Sequence, residues 1–154
     1  MQLTRAADYA VRAMIHLAGL PPGTRSSREE LAVAVECPEQ FLSKVLQGLT
    51  RAGLVVSHRG NTGGFELPED RREATLLEVV EAIEGPVHLN LCLASDHACK
   101  RQGWCPAHMV WWEAQDAMVG VLRKATIGGL ARQLADRGGT DGSDVALIEV
   151  SRWN

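Results

Sequence analysis

Apolar residues open the chain at Ala7, Ala10 and Val11, Met14, then Leu17 and Ala18, the three-four spacing of one buried stripe on a helix over residues 4–18. Pro21-Pro22-Gly23 interrupts it. Ser27 with Glu30 three residues on is a capping box and predicts a short second helix to about Val35. Pro38 suits the first position of a third helix, where its missing N–H goes unused, and Gly53 supplies the stop. In that segment Leu42, Val45, Leu46 and Leu49 share one stripe, while Gln40, Ser43, Lys44, Gln47 and Arg51 fall on the opposite face. One side is suited to burial and the other offers hydrogen-bonding groups.

Leu54-Val55-Val56 then reads as a strand, Ser57 to Gly64 as a turn, and Phe65 to Leu67 as the returning strand, a hairpin with His58 and Arg59 at its tip. Thr75 with Glu78 is a second capping box, opening a helix through Leu76, Val79, Val80 and Ile83 that ends at Gly85-Pro86. From Val87 to His108 no periodicity survives. Beyond it Trp111, Ala114, Met118, Val121 and Ala125 alternate spacings of three and four, a seam suited to a helix that pairs with a copy of itself. The same pattern also serves a core helix in a monomer. Thr126 caps a last short helix through Leu134, and the Gly- and Asp-rich tail over 136–154 is expected to be mobile.

A chain of 154 residues, 45% hydrophobic and 23% charged, is ordinary for a globular domain and excludes collagen-like, disordered and membrane classes. It buries roughly two-thirds of its unfolded surface, so a metal would serve function rather than hold a core. The formal net charge of −3 speaks weakly against nucleic acid, but it averages two unlike parts. Residues 1–60 carry seven Lys and Arg against five Asp and Glu, whereas residues 73–154 carry seven against eleven. The expected organisation is a reading head over 1–72, a cysteine loop and dimerisation helix over 73–135, and the tail.

Of four cysteines, Cys37 stands alone and Cys92, Cys99 and Cys105 are clustered. Three clustered thiols cannot pair among themselves, and the apolar start is broken by Arg5, Asp8, Arg12 and His16, so it fails as a leader or a membrane span. A cytoplasmic protein with reduced thiols and no membrane partner is expected.

Two constellations carry chemistry. A short helix, a turn, a helix with one polar face and a hairpin with a basic tip follow in the order of a winged helix-turn-helix. The expected fold is mainly α with a small β-hairpin wing, plus a long dimerisation helix. A polar helix face alone is usually just solvated, but this order of elements makes Glu39, Gln40, Ser43, Lys44, Gln47, Arg51, His58 and Arg59 candidate contacts to double-stranded DNA. The other constellation is Cys92-x6-Cys99-x5-Cys105-x2-His108. Soft thiolates select iron-sulfur clusters or zinc, and spacings wider than zinc knuckles favour a cluster. A loop with Asp96, Lys100, Arg101 and Gly103 is a poor place to bury unliganded thiols. His108 is the nearest fourth ligand. Asp8 is a remote carboxylate, also placed to pair with Arg12 one helical turn on, and Cys37 reads as a structural thiol.

With these residues the chain resembles the Rrf-two type winged-helix regulators, which include the cluster-assembly repressor IscR, the nitric-oxide sensor NsrR and the iron regulator RirA. The likeness runs from Met1 to about Leu134. It rests on Leu3-Thr4, Asp8-Tyr9-Ala10-Val11-Arg12-Ala13-Met14, Leu49 to Gly53 before Leu54-Val55, Arg59-Gly60 with Gly63-Gly64, and the three cysteines. The resemblance implies a homodimeric transcription factor, usually a repressor, on a palindromic operator. It implies Cys92, Cys99 and Cys105 as cluster ligands. The IscR-like pattern adds a histidine, here His108, with a 2Fe-2S cluster. The NsrR-like pattern adds an N-terminal aspartate from the other subunit, here Asp8, with a 4Fe-4S cluster. This chain satisfies both, with one residue more than the commonest spacing between Cys92 and Cys99. His108 is preferred because it needs no reach between subunits. The implied function is a sensor of cluster status, redox stress or nitric oxide. The alternative is a winged-helix regulator that senses redox state or a small molecule through cysteines or zinc, without a cluster. No general base and substrate pocket is legible, so an enzyme is not expected.

Overall fold

A computed structural model describes residues 3–60, 63–95 and 99–138. Six helices and one hairpin follow in the order α1 (Arg5–Gly19), α2 (Arg28–Ala34), α3 (Glu39–Arg51), β1 (Val56–His58), β2 (Gly64–Glu66), α4 (Leu76–Glu84), α5 (Pro106–Lys124) and α6 (Ile127–Asp136). The helix starts are local chemistry. Ser27 and Thr75 each accept from the N–H three residues on, while Glu30 and Glu78 reach back to the cap N–H, closing both predicted boxes. Thr126 caps α6 in the same sense by accepting from the Gly129 N–H.

α1 is the centre of the core. Its Ala7, Ala10, Ala13, Met14 and Leu17 are buried among helices α3, α4 and α6, and the small alanines let the neighbouring helices approach closely. The main core joins Leu42, Val45, Leu46 and Leu49 of α3 to Val79 of α4 and Ile127 and Ala131 of α6, so one core spans both sides of residue 72. Arg72 fixes that junction: its guanidinium donates to the Ala18 carbonyl at 2.5 Å and the Leu20 carbonyl at 2.8 Å, taking up carbonyls left free where α1 ends. Residues 72–76 pair with 125–128 through Leu76 N–H to Ala125 O, Ile127 N–H to Ala74 O and Gly128 N–H to Arg72 O. A side chain at Gly128 would stand 3.0 Å from the Arg72 carbonyl, so only glycine allows this approach without a shift.

Several boundaries differ from expectation. Pro38 stands just before α3, at its N-cap, with extended ψ. Leu54 and Val55 are buried as core residues ahead of β1 rather than paired in it, and β2 begins at Gly64 rather than Phe65. The stretch from Val87 to His108 is less irregular than its pattern implied: it contains a three-ten turn at Leu91–Leu93, and Pro106 opens α5 so that His108 lies in the first turn. Ala125 lies at the C-cap of α5, and α6 extends two residues past Leu134. The tail beyond Gly138, including the apolar run 145–150, lies outside the described residues. Among the described residues no helix is long and apolar enough to cross a membrane.

Candidate nucleic-acid interface and cysteine cavity

Burial of Leu42, Val45, Leu46 and Leu49 fixes the rotation of α3 and leaves Glu39, Gln40, Lys44, Gln47 and Arg51 exposed, with Ser43 half-buried. Ser43 is turned back on its helix, its hydroxyl donating to the Glu39 carbonyl at 2.9 Å. Glu39 itself is held by Arg28 of α2, Nε to Oε1 at 2.5 Å, so α2 and α3 are joined at the exposed end by an ion pair. The sequence pattern did not single out Arg28. Phe41, also exposed, sets its ring edge-on to Tyr9 at 5.7 Å and braces α3 against α1.

The hairpin pairs Val56 with Glu66, Ser57 with Phe65 and His58 with Gly64. Ser26 adds a bridge on its outer side, exchanging N–H and carbonyl with Phe65 at 3.0 and 2.8 Å, which docks the wing onto the approach to α2. Gly63 and Gly64 make this possible. A Cβ at Gly63 would fall 2.5 Å from the His58 carbonyl, and one at Gly64, where φ is +152°, would fall 2.8 Å from the Ser26 carbonyl. Arg59 is exposed beyond the end of β1, as expected for the wing tip. His58 ends β1 on the rung next to the turn, opposite Gly64, but its ring is turned back along the hairpin, with Nε2 2.8 Å from Glu66 Oε2, and Arg25 faces the same carboxylate at 3.6 Å.

The cysteines come from three pieces of backbone. Cys92 sits in the three-ten turn that Asn90 caps, its Oδ1 accepting from the Leu91 N–H at 2.7 Å. Cys99 starts the turns that lead to α5, accepting from the Gln102 N–H. Cys105 is the N-cap of α5, and His108 and Trp111 follow at intervals of three on the same face of the helix. Leu89 N–H donates to Gln115 Oε1 at 2.9 Å and ties the preceding loop down to α5. Together Asn90, Leu91, Cys92, Cys99, Gln102, Cys105, His108 and Trp111 line one cavity of about 280 Å³. His108 Nδ1 and Gln102 Oε1 are buried without a hydrogen-bond partner, which is the state of groups waiting for a ligand or a neighbour. Among the described residues, no three His, Cys, Asp or Glu side chains form a group placed to hold a metal ion, and the three thiols and the imidazole share the lining of this one cavity. That donor set and that space fit a polynuclear iron-sulfur group.

Asp8 is not brought to this cavity within the chain. It is exposed on α1 and paired with Arg12 at 3.0 Å, the plainer of its two readings. Cys37 is also apart: buried, its Sγ 3.5 Å from the Pro38 carbonyl, with burial pushing its thiol pKa up and the Leu42 backbone hydrogen bond opposing. A thiol held protonated is a poor nucleophile or ligand. Gln102 had no pattern to reveal it beyond lying between two cysteines.

Residues 3–133 match the family model described as Rrf2, iron-dependent transcriptional regulator. The HTH-type transcriptional regulator NsrR of Bacillus subtilis is 31% identical over 137 residues, covering 88% of this chain and 94% of that protein. An HTH-type regulator of Mycobacterium tuberculosis is 41% identical over 87 residues, 56% of this chain and 54% of its own, so the match spans about half the length of that relative. Among solved structures, that of CymR, the global cysteine regulator of B. subtilis, is similar with a TM-score of 0.69 at 27% identity, over 86% of this chain and 98% of that one.

Proposed function

Because the chain belongs to the Rrf2 family of transcriptional regulators, which are not enzymes, we propose that it is a homodimeric, DNA-binding sensor that holds an iron-sulfur cluster on Cys92, Cys99, Cys105 and His108. The observation that carries the reading is the single cavity ringed by those three thiols and that imidazole. Asp8, exposed and engaged by Arg12, is the weaker fourth ligand. With His108 as ligand, the resemblance to the IscR-like pattern favours 2Fe-2S over 4Fe-4S.

When bound, the cluster supplies a centre that oxidants and nitric oxide attack. The chain's own part is mechanical. Cys105 is the N-cap of α5 and His108 lies in its first turn, and α5 lies against α4, which lies against α1 and α3. Ligation therefore restrains the start of the helix that sets one reading head relative to another. A change at the cavity shifts operator affinity only as far as it favours one of two arrangements of the heads. The head, within residues 1–72, offers Gln40, Lys44, Gln47 and Arg51 to a groove of a palindromic operator, with Ser43 and Glu39 held back by their own partners and Arg59 reaching from the wing.

The likeness to a cysteine regulator keeps a second reading in view, a regulator that senses through its thiols without a cluster. Anaerobic purification with iron and sulfide analysis, repeated on His108→Ala and Asp8→Ala, separates them. A coloured wild-type protein whose spectrum is lost in His108→Ala and kept in Asp8→Ala is the expected result. A colourless protein with zinc or no metal sinks the cluster reading, and an unchanged spectrum in His108→Ala sinks the ligand assignment.

A further inference from the structure

Two polar atoms in the cysteine cavity lack partners, and they are complementary. His108 Nδ1 is a buried imidazole nitrogen, and Gln102 Oε1 is a buried carbonyl oxygen that only accepts. The other carboxamide on the cavity wall, Asn90, already spends its oxygen on the Leu91 N–H. A neutral imidazole carries one N–H, and binding a metal through one nitrogen requires that proton to sit on the other. Ligating histidines are held in that tautomer by an acceptor on the far nitrogen.

We propose that Gln102 is the positioning residue of this site: its carboxamide oxygen accepts the Nδ1–H of His108 when the cavity is loaded, leaving Nε2 free as the ligand. This rests on the cluster reading above. The pairing would satisfy both orphaned atoms at once, and Gln102 lies in the turn immediately before α5, on the wall of the same cavity as His108. No carboxylate takes this role, because the described cavity wall carries none.

The test uses the full-length protein, loaded anaerobically, and reads iron release to a chelator together with the reduction potential and visible spectrum. Gln102→Leu removes the acceptor at similar volume, Gln102→Glu retains one, and His108→Cys replaces the imidazole with a thiolate that has no tautomer to fix. Gln102→Leu is expected to retain iron about 10–100-fold less well, with Gln102→Glu restoring retention, and to have no effect in the His108→Cys background. Equal retention in Gln102→Leu and wild type overturns the proposal, as does an equal loss in the His108→Cys background, which assigns Gln102 a merely structural role. In both cases the cluster reading stands. A wild-type protein that binds no iron and sulfide overturns the cluster reading itself, and this proposal with it.

Discussion

At the scale of single residues, the chain relies on short-range hydrogen bonds that answer strict geometric needs. Glu78 accepts from the Thr75 N–H at 2.7 Å and from its hydroxyl at 2.8 Å, and the Thr75 backbone contact is the main reason its pKa lies below the usual carboxylate range. Glu30 is lowered in the same way, first by the Ser27 backbone. A carboxylate lowered on folding adds stability above its unfolded pKa and loses that contribution as pH falls through the lowered folded value. Thr75→Ala is therefore expected to cost about 0.5–2 kcal/mol at neutral pH, read by chemical denaturation, with a smaller penalty in acid, where wild type has already lost the Glu78 contribution. Both boxes were legible in the sequence because everything they need lies within four residues. Gly64 was legible only as a turn glycine. Its close approach to the Ser26 carbonyl, beside the Ser26–Phe65 bridge, spans thirty-eight positions, from 26 to 64, and no local pattern encodes it. Gly64→Ala is expected to cost about 1–3 kcal/mol and to weaken DNA binding by detaching the wing; a thermal midpoint equal to wild type would argue against the contact.

At the scale of elements, α3 was the clearest feature in the sequence, and its rotation is as its stripe predicts, because an amphipathic helix has one way to bury four aliphatic side chains. The hairpin was legible as an element but not in its boundaries. Leu54 and Val55 have strand character, yet the core claims them, and pairing starts only where they end. In the proposed DNA complex the exposed face of α3 and the wing would divide the work. Lys44 and Arg59 are charges on flexible stems, suited to phosphates, whereas Gln47 carries a donor and acceptor pair suited to a base edge. Lys44→Ala and Arg59→Ala are each expected to weaken binding on all sequences and to reduce the salt slope by about one unit. Gln47→Ala is expected to relax preference at one base pair, by about 1–3 kcal/mol, and to leave the slope unchanged. Fluorescence titrations on operator and scrambled duplexes at several salt concentrations distinguish these patterns. The cysteine loop was legible in its donors and not in its shape, since a three-ten turn and a helix N-cap leave no hydrophobic period to read.

At the scale of the whole molecule, the seam on α5 is where reading and structure differ most. Met118, one member of a seam that suits either self-pairing or a core, turns inward with Val119 and Leu122 against Leu77, Val80 and Val87, because α4 supplies a partner face that a single helix pattern does not reveal. The stripe left outside is Val110, Ala114, Ala117 and Val121, at spacings of four, three and four, with Val110 62% and Val121 68% exposed. Two alanines between two valines allow close approach of an identical helix, and a two-fold axis across the stripe would place like residues opposite one another. Such a row is costly to leave in water, and pairing through it would let the proposed reading head of each chain address one of two half-sites. Val121→Glu sets two carboxylates against each other in that seam while leaving the inward face of α5 untouched. It is expected to halve the mass measured by sedimentation equilibrium at micromolar protein, with the helical circular dichroism signal retained. Operator affinity should drop with it, because the second half-site then has to be bound from solution rather than at the effective concentration that dimerisation provides. A variant that sediments as wild type would place the dimer contact somewhere other than this stripe.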